Sequence, residues 1–164
     1  MTGTVNIGIC GLGTVASGVV NLFNRHGGLI VERCGVAVTL AHIGARRDNP
    51  ECDTSSYRVS RDVFAVVDDA SIDIVVELIG GTETAHDLIK RALANGKHVV
   101  TANKALIAEH GNELSALAEA HGVALYFEAA VAGGIPIVKT LREALAGNEI
   151  TSIAGIINGT GNFI

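Results

Sequence analysis

The 164-residue chain has no tryptophan and only six tyrosines and phenylalanines together, so aromatic residues make up 4%. Proteins that hold single-stranded nucleic acid stack bases on aromatic rings above a basic groove. Here twelve basic residues face seventeen acidic ones, for a formal net charge of −5 and no basic stripe. Nucleic acid is therefore not an expected partner. Charged residues are also scarce, at 18% against 48% hydrophobic. Yet no apolar run reaches the ~18 uninterrupted residues of a membrane span, and no membrane association is expected. The three cysteines, Cys10, Cys34 and Cys52, are odd in number and lack CxxC spacing. That pattern argues against a disulfide framework or a zinc module and for reduced thiols. Cys10 lies inside an apolar run and reads as a small core residue rather than a nucleophile. Met1-Thr2-Gly3-Thr4 leads straight into a strand-like segment, without the charged start and long apolar stretch of a secretory signal. A cytoplasmic location is the expectation.

What is present is an alternation of short apolar runs and helical spacing. Strands are expected over residues 5–10, 36–45, 72–79, 98–101 and 123–127. Helices are expected over 14–24, 84–94, 112–121 and 135–145, with Asn95-Gly96, Gly122 and Gly147 as stop signals. Residues 49–60, which include Pro50, read as a surface loop, and residues 150–157 as one more strand. The strands are nearly continuous apolar runs, which suits burial on both faces. The fold class is therefore α/β, a Rossmann-type doubly wound and mainly parallel sheet with right-handed crossovers.

After the first strand comes Gly11-Leu12-Gly13-Thr14-Val15-Ala16, a G-x-G-x-x-A turn opening the first helix. Gly11 permits the tight turn, Gly13 leaves the backbone open to a pyrophosphate, and Ala16 lets helix and strand pack closely. The helix amino terminus then offers free N–H groups and a positive dipole to the phosphates. The motif alone also occurs as a plain tight turn; its place between strand one and helix one favours a dinucleotide. Strand two ends in Arg46 and Arg47 rather than in the acidic residue expected beside an NAD ribose. Two guanidinium groups match a 2′-phosphate, so NADP is favoured with NAD tolerated. The alternative is that both arginines are solvated loop residues.

Ligands in parallel sheets bind beyond the carboxyl ends of the strands. Gly80 and Gly81 follow strand three, Thr101-Ala102-Asn103-Lys104 follows strand four, and Glu128 follows strand five. Lys104 and Glu128 are thus expected to converge on a crevice with Gly11 and Gly13. Asn103 is suited to cap the next helix and so to fix Lys104. The bland alternatives are a solvent-facing Lys104 and a capping or ion-paired Glu128.

The segments "GLGTVASGV", "VVELIGG", "GKHVVTANKALIA", "FEAAVAGGIPIVKTLREALAGN" and "GIINGTGNFI" together resemble homoserine dehydrogenase along essentially the whole chain. The resemblance implies NAD(P)-linked interconversion of L-homoserine and L-aspartate 4-semialdehyde on the route to threonine and methionine. It implies Lys104 beside substrate and nicotinamide as the catalytic lysine within this segment. Cofactor contacts are implied at Gly11, Leu12, Gly13, Thr14, Val15, Arg46, Arg47, Gly80, Thr101 and Lys104. It also implies a monovalent cation such as sodium on Glu128, Val131, Gly133 and Ile135, with the last three giving backbone carbonyls. Residues 1–148 would form the dinucleotide-binding domain and 149–164 the first strand of a substrate domain. The family's principal catalytic lysine and the acidic residues that hold the substrate ammonium lie beyond the "NGTGN" segment, so little turnover is expected of these 164 residues alone. The full-length enzyme is expected to be a homo-oligomer. The readings that compete are a non-catalytic NAD(P)-binding module and another short NAD(P)-dependent oxidoreductase. Two departures from the family pattern, Ala16 for a more usual glycine and Thr84 for a frequent proline, are tolerable.

Overall fold

The computed structural model describes residues 3–155. Six strands, β1 (Thr4–Cys10), β2 (Ala37–Gly44), β3 (Arg58–Ser60), β4 (Ile74–Glu77), β5 (His98–Thr101) and β6 (Leu125–Tyr126), form one sheet in the order β3-β2-β1-β4-β5-β6. Every neighbouring pair is parallel. This is the Rossmann order, and its direction of growth reverses between β1 and β4. The crevice beyond the carboxyl ends of those two strands is where such sheets take ligands.

Period-two alternation sends successive strand residues to opposite faces. Ile9 joins the apolar cluster under α1 (Thr14–Cys34), whereas Cys10 joins the cluster under α3 (Glu83–Ala94) and α4 (Lys104–Ala120). On α3 the buried set is Ala85, Leu88, Ile89, Ala92 and Leu93, which is the i, i+3, i+4, i+7, i+8 stripe of an amphipathic helix. Truncating one of its large members to alanine costs about 2–5 kcal/mol, a large share of a domain's total. A short helix, α2 (Phe64–Val67), lies close on the sheet because Gly8 and Gly44 carry no side chain beneath it. A Cβ on Gly8 would stand 2.4 Å from Val66 Cγ1.

The structure departs from the expectations in six places. The helix expected over 112–121 already begins at Lys104, where Asn103 caps it, and runs to Ala120. The stretch expected as a loop over 49–60 contains edge strand β3, paired with His42, Ile43 and Gly44. Three residues are too few to register as a period. Helix α1 continues past residue 24 to Cys34, with a kink at His26 (φ −129°, ψ 15°) ahead of Gly27-Gly28. Those glycines read as breakers but serve as a bend; the helix stops at Gly35, whose φ of 69° closes a left-handed cap on Val31. Helix α2 was not anticipated, being a single turn. The helix expected over 135–145 is three α-helical residues, α5 (Ile137–Lys139), running into a π turn over Thr140–Ala144. None of these residues is buried, so no packing face regularises them. Finally, the strand expected over 150–157 is absent from 150–155, and residues 156 and 157 lie outside the described residues. A strand needs a partner. The sheet ends at the two-residue β6, and Ile150 and Ile153 are 42% and 66% exposed.

One polar knot around the buried His42 ties β2, β3 and the turn before β4. The Asp69 carboxylate accepts from Ser71 Oγ at 2.6 Å and Ser71 N at 3.0 Å, and pairs with Arg58 Nη1 at 2.8 Å and His42 Nδ1 at 2.9 Å. The Ser71 bonds, more than the pairing with His42, hold its pKa down to about 2 against the cost of burial. Because the folded value lies below the unfolded one of about 3.9, the contribution is fully present above pH ~4. It is lost as pH falls toward 2. Asp69→Asn should cost about 1–3 kcal/mol at neutral pH, since an amide has one oxygen where the carboxylate has two, so either the Ser71 donors or the pair of Arg58 and the buried His42 would face an NH2 group. Urea titrations at stepped pH should then show the two proteins' stabilities converging below pH 4; parallel curves would contradict this.

Candidate functional site

The turn after β1 is built by contact. Gly11 has φ 109°, and a Cβ there would meet Leu78 O at 2.6 Å. Its amide donates to Gly44 O at 2.8 Å, while Leu78 N donates to Cys10 O at 2.8 Å. The ends of β1, β2 and β4 are thereby drawn together. Gly13 is the N-cap of α1 and offers no side-chain cap, so the first-turn amides keep their donors for a ligand. A Cβ at Gly13 would meet nothing within 4 Å, which is open space where an anion can approach.

This turn forms one wall of a cleft of about 620 Å³, with Arg46, Arg47 and Asn49 on the other. Asp48 would neutralise that wall, but Arg61 Nη2 holds its carboxylate at 2.8 Å and keeps its pKa below the usual range. Among the described residues neither Arg46 nor Arg47 has an ion-pair partner, and both are exposed. Asn49 joins the walls: its Nδ2 donates to Ser17 Oγ at 2.7 Å and Leu12 O at 3.3 Å.

A second cavity of about 250 Å³ adjoins the first at Leu78 and is lined by Val15, Gly80, Ala102, Asn103 and Lys104 with Glu77. Val15 is 58% exposed at the start of α1, an apolar surface suited to a flat ring. Lys104 is the first residue of α4 and is exposed. Asn103 caps that helix as expected, Oδ1 accepting from Leu106 N at 3.1 Å, and also donates from Nδ2 to Gly81 O at 2.6 Å.

The residue that sequence reasoning missed is Glu77, the last of β4 and fully buried. Its Oε1 accepts from Ile79 N at 2.8 Å and its Oε2 from Thr101 Oγ1 at 2.6 Å. Thr101 Oγ1 in turn accepts from Asn103 N at 3.0 Å. The chain Ile79–Glu77–Thr101–Asn103 thus fixes two strand-end turns and, through the cap, the base of Lys104. The hydroxyl of Thr101, expected at the cofactor, is fully buried and occupied in this chain. The available signal was the lone acidic residue inside the apolar run "IVVELI". Glu77 also helps burial raise the Cys10 thiol far above its ordinary pKa, with Asp62 adding a smaller effect, which leaves Cys10 an inert core group.

Glu128 does not join this crevice. Its Oε1 accepts from Val138 N and its Oε2 from Lys139 N, each at 2.9 Å, so it caps α5. It lines neither cavity, and the expected convergence with Lys104 is corrected accordingly. The unpaired amides at the start of α5 are the physical reason. Val131, Gly133 and Ile135 follow in the same loop, with Ile135 O accepting from Ile137 N at 2.8 Å.

Residues 11–128 match the family model described as "Homoserine dehydrogenase, NAD binding domain", and residues 136–164 match one described as "Homoserine dehydrogenase". This chain belongs to the homoserine dehydrogenase family. It is 56% identical over 160 residues to homoserine dehydrogenase of Pseudomonas aeruginosa, covering 98% of this chain and 37% of that protein. Against the enzyme of Neisseria gonorrhoeae it is 47% identical, with 98% and 37% covered. The crystal structure of a homoserine dehydrogenase from Thiobacillus denitrificans superposes with a TM-score of 0.89 at 50% identity, over 99% of this chain and 38% of that one. A hyperthermophilic archaeal homoserine dehydrogenase in complex with NADPH superposes at 0.70 with 28% identity, over 88% and 50%. The chain therefore spans a little over a third of the length of the curated homoserine dehydrogenases it matches.

The geometry makes a prediction for Glu77→Gln. A neutral amide cannot accept from both Ile79 N and Thr101 Oγ1, so one buried donor is stranded at a cost of about 1–3 kcal/mol. Denaturant unfolding should show that loss, and NADPH titration a weaker affinity as the strand-end turns loosen. Unchanged values in both would show that the chain of bonds does not hold the site.

Proposed function

We propose that this chain is the nucleotide-binding portion of an NADP-preferring homoserine dehydrogenase, acting between L-homoserine and L-aspartate 4-semialdehyde in threonine and methionine biosynthesis. The observation that carries this reading is the pair of adjoining cavities. One places an uncapped helix terminus opposite Arg46 and Arg47, and the other places Lys104 beside Val15 and Gly80. The residues fit a nicotinamide dinucleotide: Gly13 leaves open space, and the first-turn amides and both guanidinium groups are available to anions. When bound, NADP supplies the hydride acceptor. The chain's own residues do the rest. Amides of the Gly11–Val15 turn would hold the pyrophosphate, Arg46 and Arg47 the 2′-phosphate, and Gly80 would admit the ribose or ring. Lys104, held at its base by Asn103, would orient the substrate hydroxyl and its proton.

Residues 1–148 would form the dinucleotide-binding domain and 149–164 would begin the substrate domain; the match of residues 136–164 to a separate family model supports a boundary in this region. A monovalent cation such as sodium would sit at Glu128, Val131, Gly133 and Ile135. Each Glu128 oxygen accepts one amide and keeps a further lone pair, and carboxylate and carbonyl oxygens suit a hard ion.

Gly13→Val should abolish NADPH binding, read as loss of cofactor fluorescence enhancement, because a side chain would occupy the anion's approach. Replacing Arg46 and Arg47 together by alanine should weaken NADPH at least about 10-fold while leaving NADH within a few-fold, as expected for charge-assisted hydrogen bonds to the 2′-phosphate. Equal losses for the two cofactors would show the arginines to be ordinary loop residues. In an enzyme of the family's full length, Lys104→Met should lower homoserine-dependent NADP reduction by about 100-fold or more, with cofactor affinity little changed. Undiminished turnover would remove Lys104 from the reaction.

A further inference from the structure

Helices α3 and α4 pack side by side on the sheet, and their outer seam carries a cluster that neither cavity uses. His86 projects from the first turns of α3; His110 and Glu113 sit three residues apart on one face of α4. The imidazole rings of His86 and His110 stack with centroids 4.2 Å apart and planes at 28°. Glu113 Oε2 lies 3.1 Å from His86 Nε2 and 3.5 Å from His110 Nδ1. All three ligand-type atoms lie within 4.8 Å of one another, and this is the one such group among the described residues.

We propose that His86, His110 and Glu113 form a binding site for a zinc-like divalent transition metal that braces α3 against α4. The distances carry the argument. A tetrahedral zinc with ligands at 2.0–2.1 Å sets its ligand atoms about 3.3 Å apart. The two histidine-to-glutamate separations, 3.1 and 3.5 Å, bracket that value. Two imidazoles and one carboxylate are also the donor set that suits such metals, and they leave a fourth position for water. Glu113, whose side chain is 48% exposed, gives that position access to solvent. The surroundings are those of a ligated site. Glu109 Oε2 stands 3.9 Å from His110 Nε2, beyond hydrogen-bond distance, and adds a second negative charge beside the ring whose Nδ1 faces Glu113. Lys90 Nζ takes the other Glu113 oxygen at 3.2 Å, leaving Oε2 for the ion. A carboxylate oxygen facing two ring nitrogens is satisfied either by a hydrogen on each nitrogen or by a cation between them. On metal capture the rings would pivot about Cβ–Cγ, exchanging their stack for two metal–nitrogen bonds.

The test is a zinc titration of the metal-stripped 164-residue chain at pH 7.5 in competition with a chromogenic chelator, paired with thermal melts and cobalt absorption spectra. One equivalent should bind in the micromolar range or tighter, raise the melting temperature, and give cobalt a tetrahedral spectrum. His86→Asn and His110→Asn should each weaken zinc at least about 10-fold, while Cys34→Ser, which removes an exposed thiol, should leave affinity unchanged. Should a variant fail to fold, histidine ring proton resonances of the unaltered chain give a second readout: two of the six histidines should shift with added zinc, in step with the titration. The proposal is overturned by absence of saturable binding, by affinity that survives the double histidine variant, or by affinity that disappears in Cys34→Ser.

Discussion

The closeness of Gly11 to Leu78 is the constraint on which the rest of the site depends. A positive-φ backbone at which any Cβ would stand 2.6 Å from the Leu78 carbonyl oxygen admits one residue type. Because the chain can pass there, β1 turns sharply into α1, and the helix terminus opens onto the crevice between β1 and β4. Leu78 itself lines both cavities. The nucleotide wall and the lysine-bearing pocket are therefore two sides of one contact, and anything that widened it would move both.

Polar groups buried behind the crevice do the positioning that apolar packing cannot. Hydrophobic contact is non-directional; it holds β4 and β5 side by side without fixing the turns that follow them. Glu77 supplies direction by accepting from Ile79 and Thr101, and Thr101 passes it to Asn103. Asp69 does the same on the far side of β1, for β2 and β3. Lys97, with its ammonium donating at 2.7 Å to the carbonyls of Asp69 and Ile72, closes the floor between them. In each case a polar side chain withdrawn from solvent is met by two or more hydrogen-bonding partners.

Much of this was legible in the sequence because the physical signal was local. Continuous apolar runs declared buried parallel strands, the glycine turn declared its helix, and Asn103 announced a cap that the structure forms. The readings that failed depended on partners distant in the chain. Glu128 was expected to converge with Lys104, and the amides of Val138 and Lys139 hold its carboxylate at the start of α5 instead. Edge strand β3 exists because β2 is there to pair it, whereas residues 150–155 pair with no strand of the sheet. Asn49 and Glu77 gave little warning, since Leu12, Ser17 and Thr101, the partners they tie to the site, lie 24 to 37 residues away. Arg46 and Arg47 were found by charge alone, but their availability rests on Arg61 occupying Asp48.

The amide of Asn49 has a kinetic meaning. By bonding both Leu12 O and Ser17 Oγ it fastens the arginine-bearing loop to the glycine turn before any nucleotide arrives. A cleft assembled in advance spends little free energy on ordering loops at the moment of association. Its ligand enters and leaves by the open mouth rather than by a hinge between the walls. Residence time is then governed by how many phosphate contacts must break together, a property of dissociation rather than of encounter.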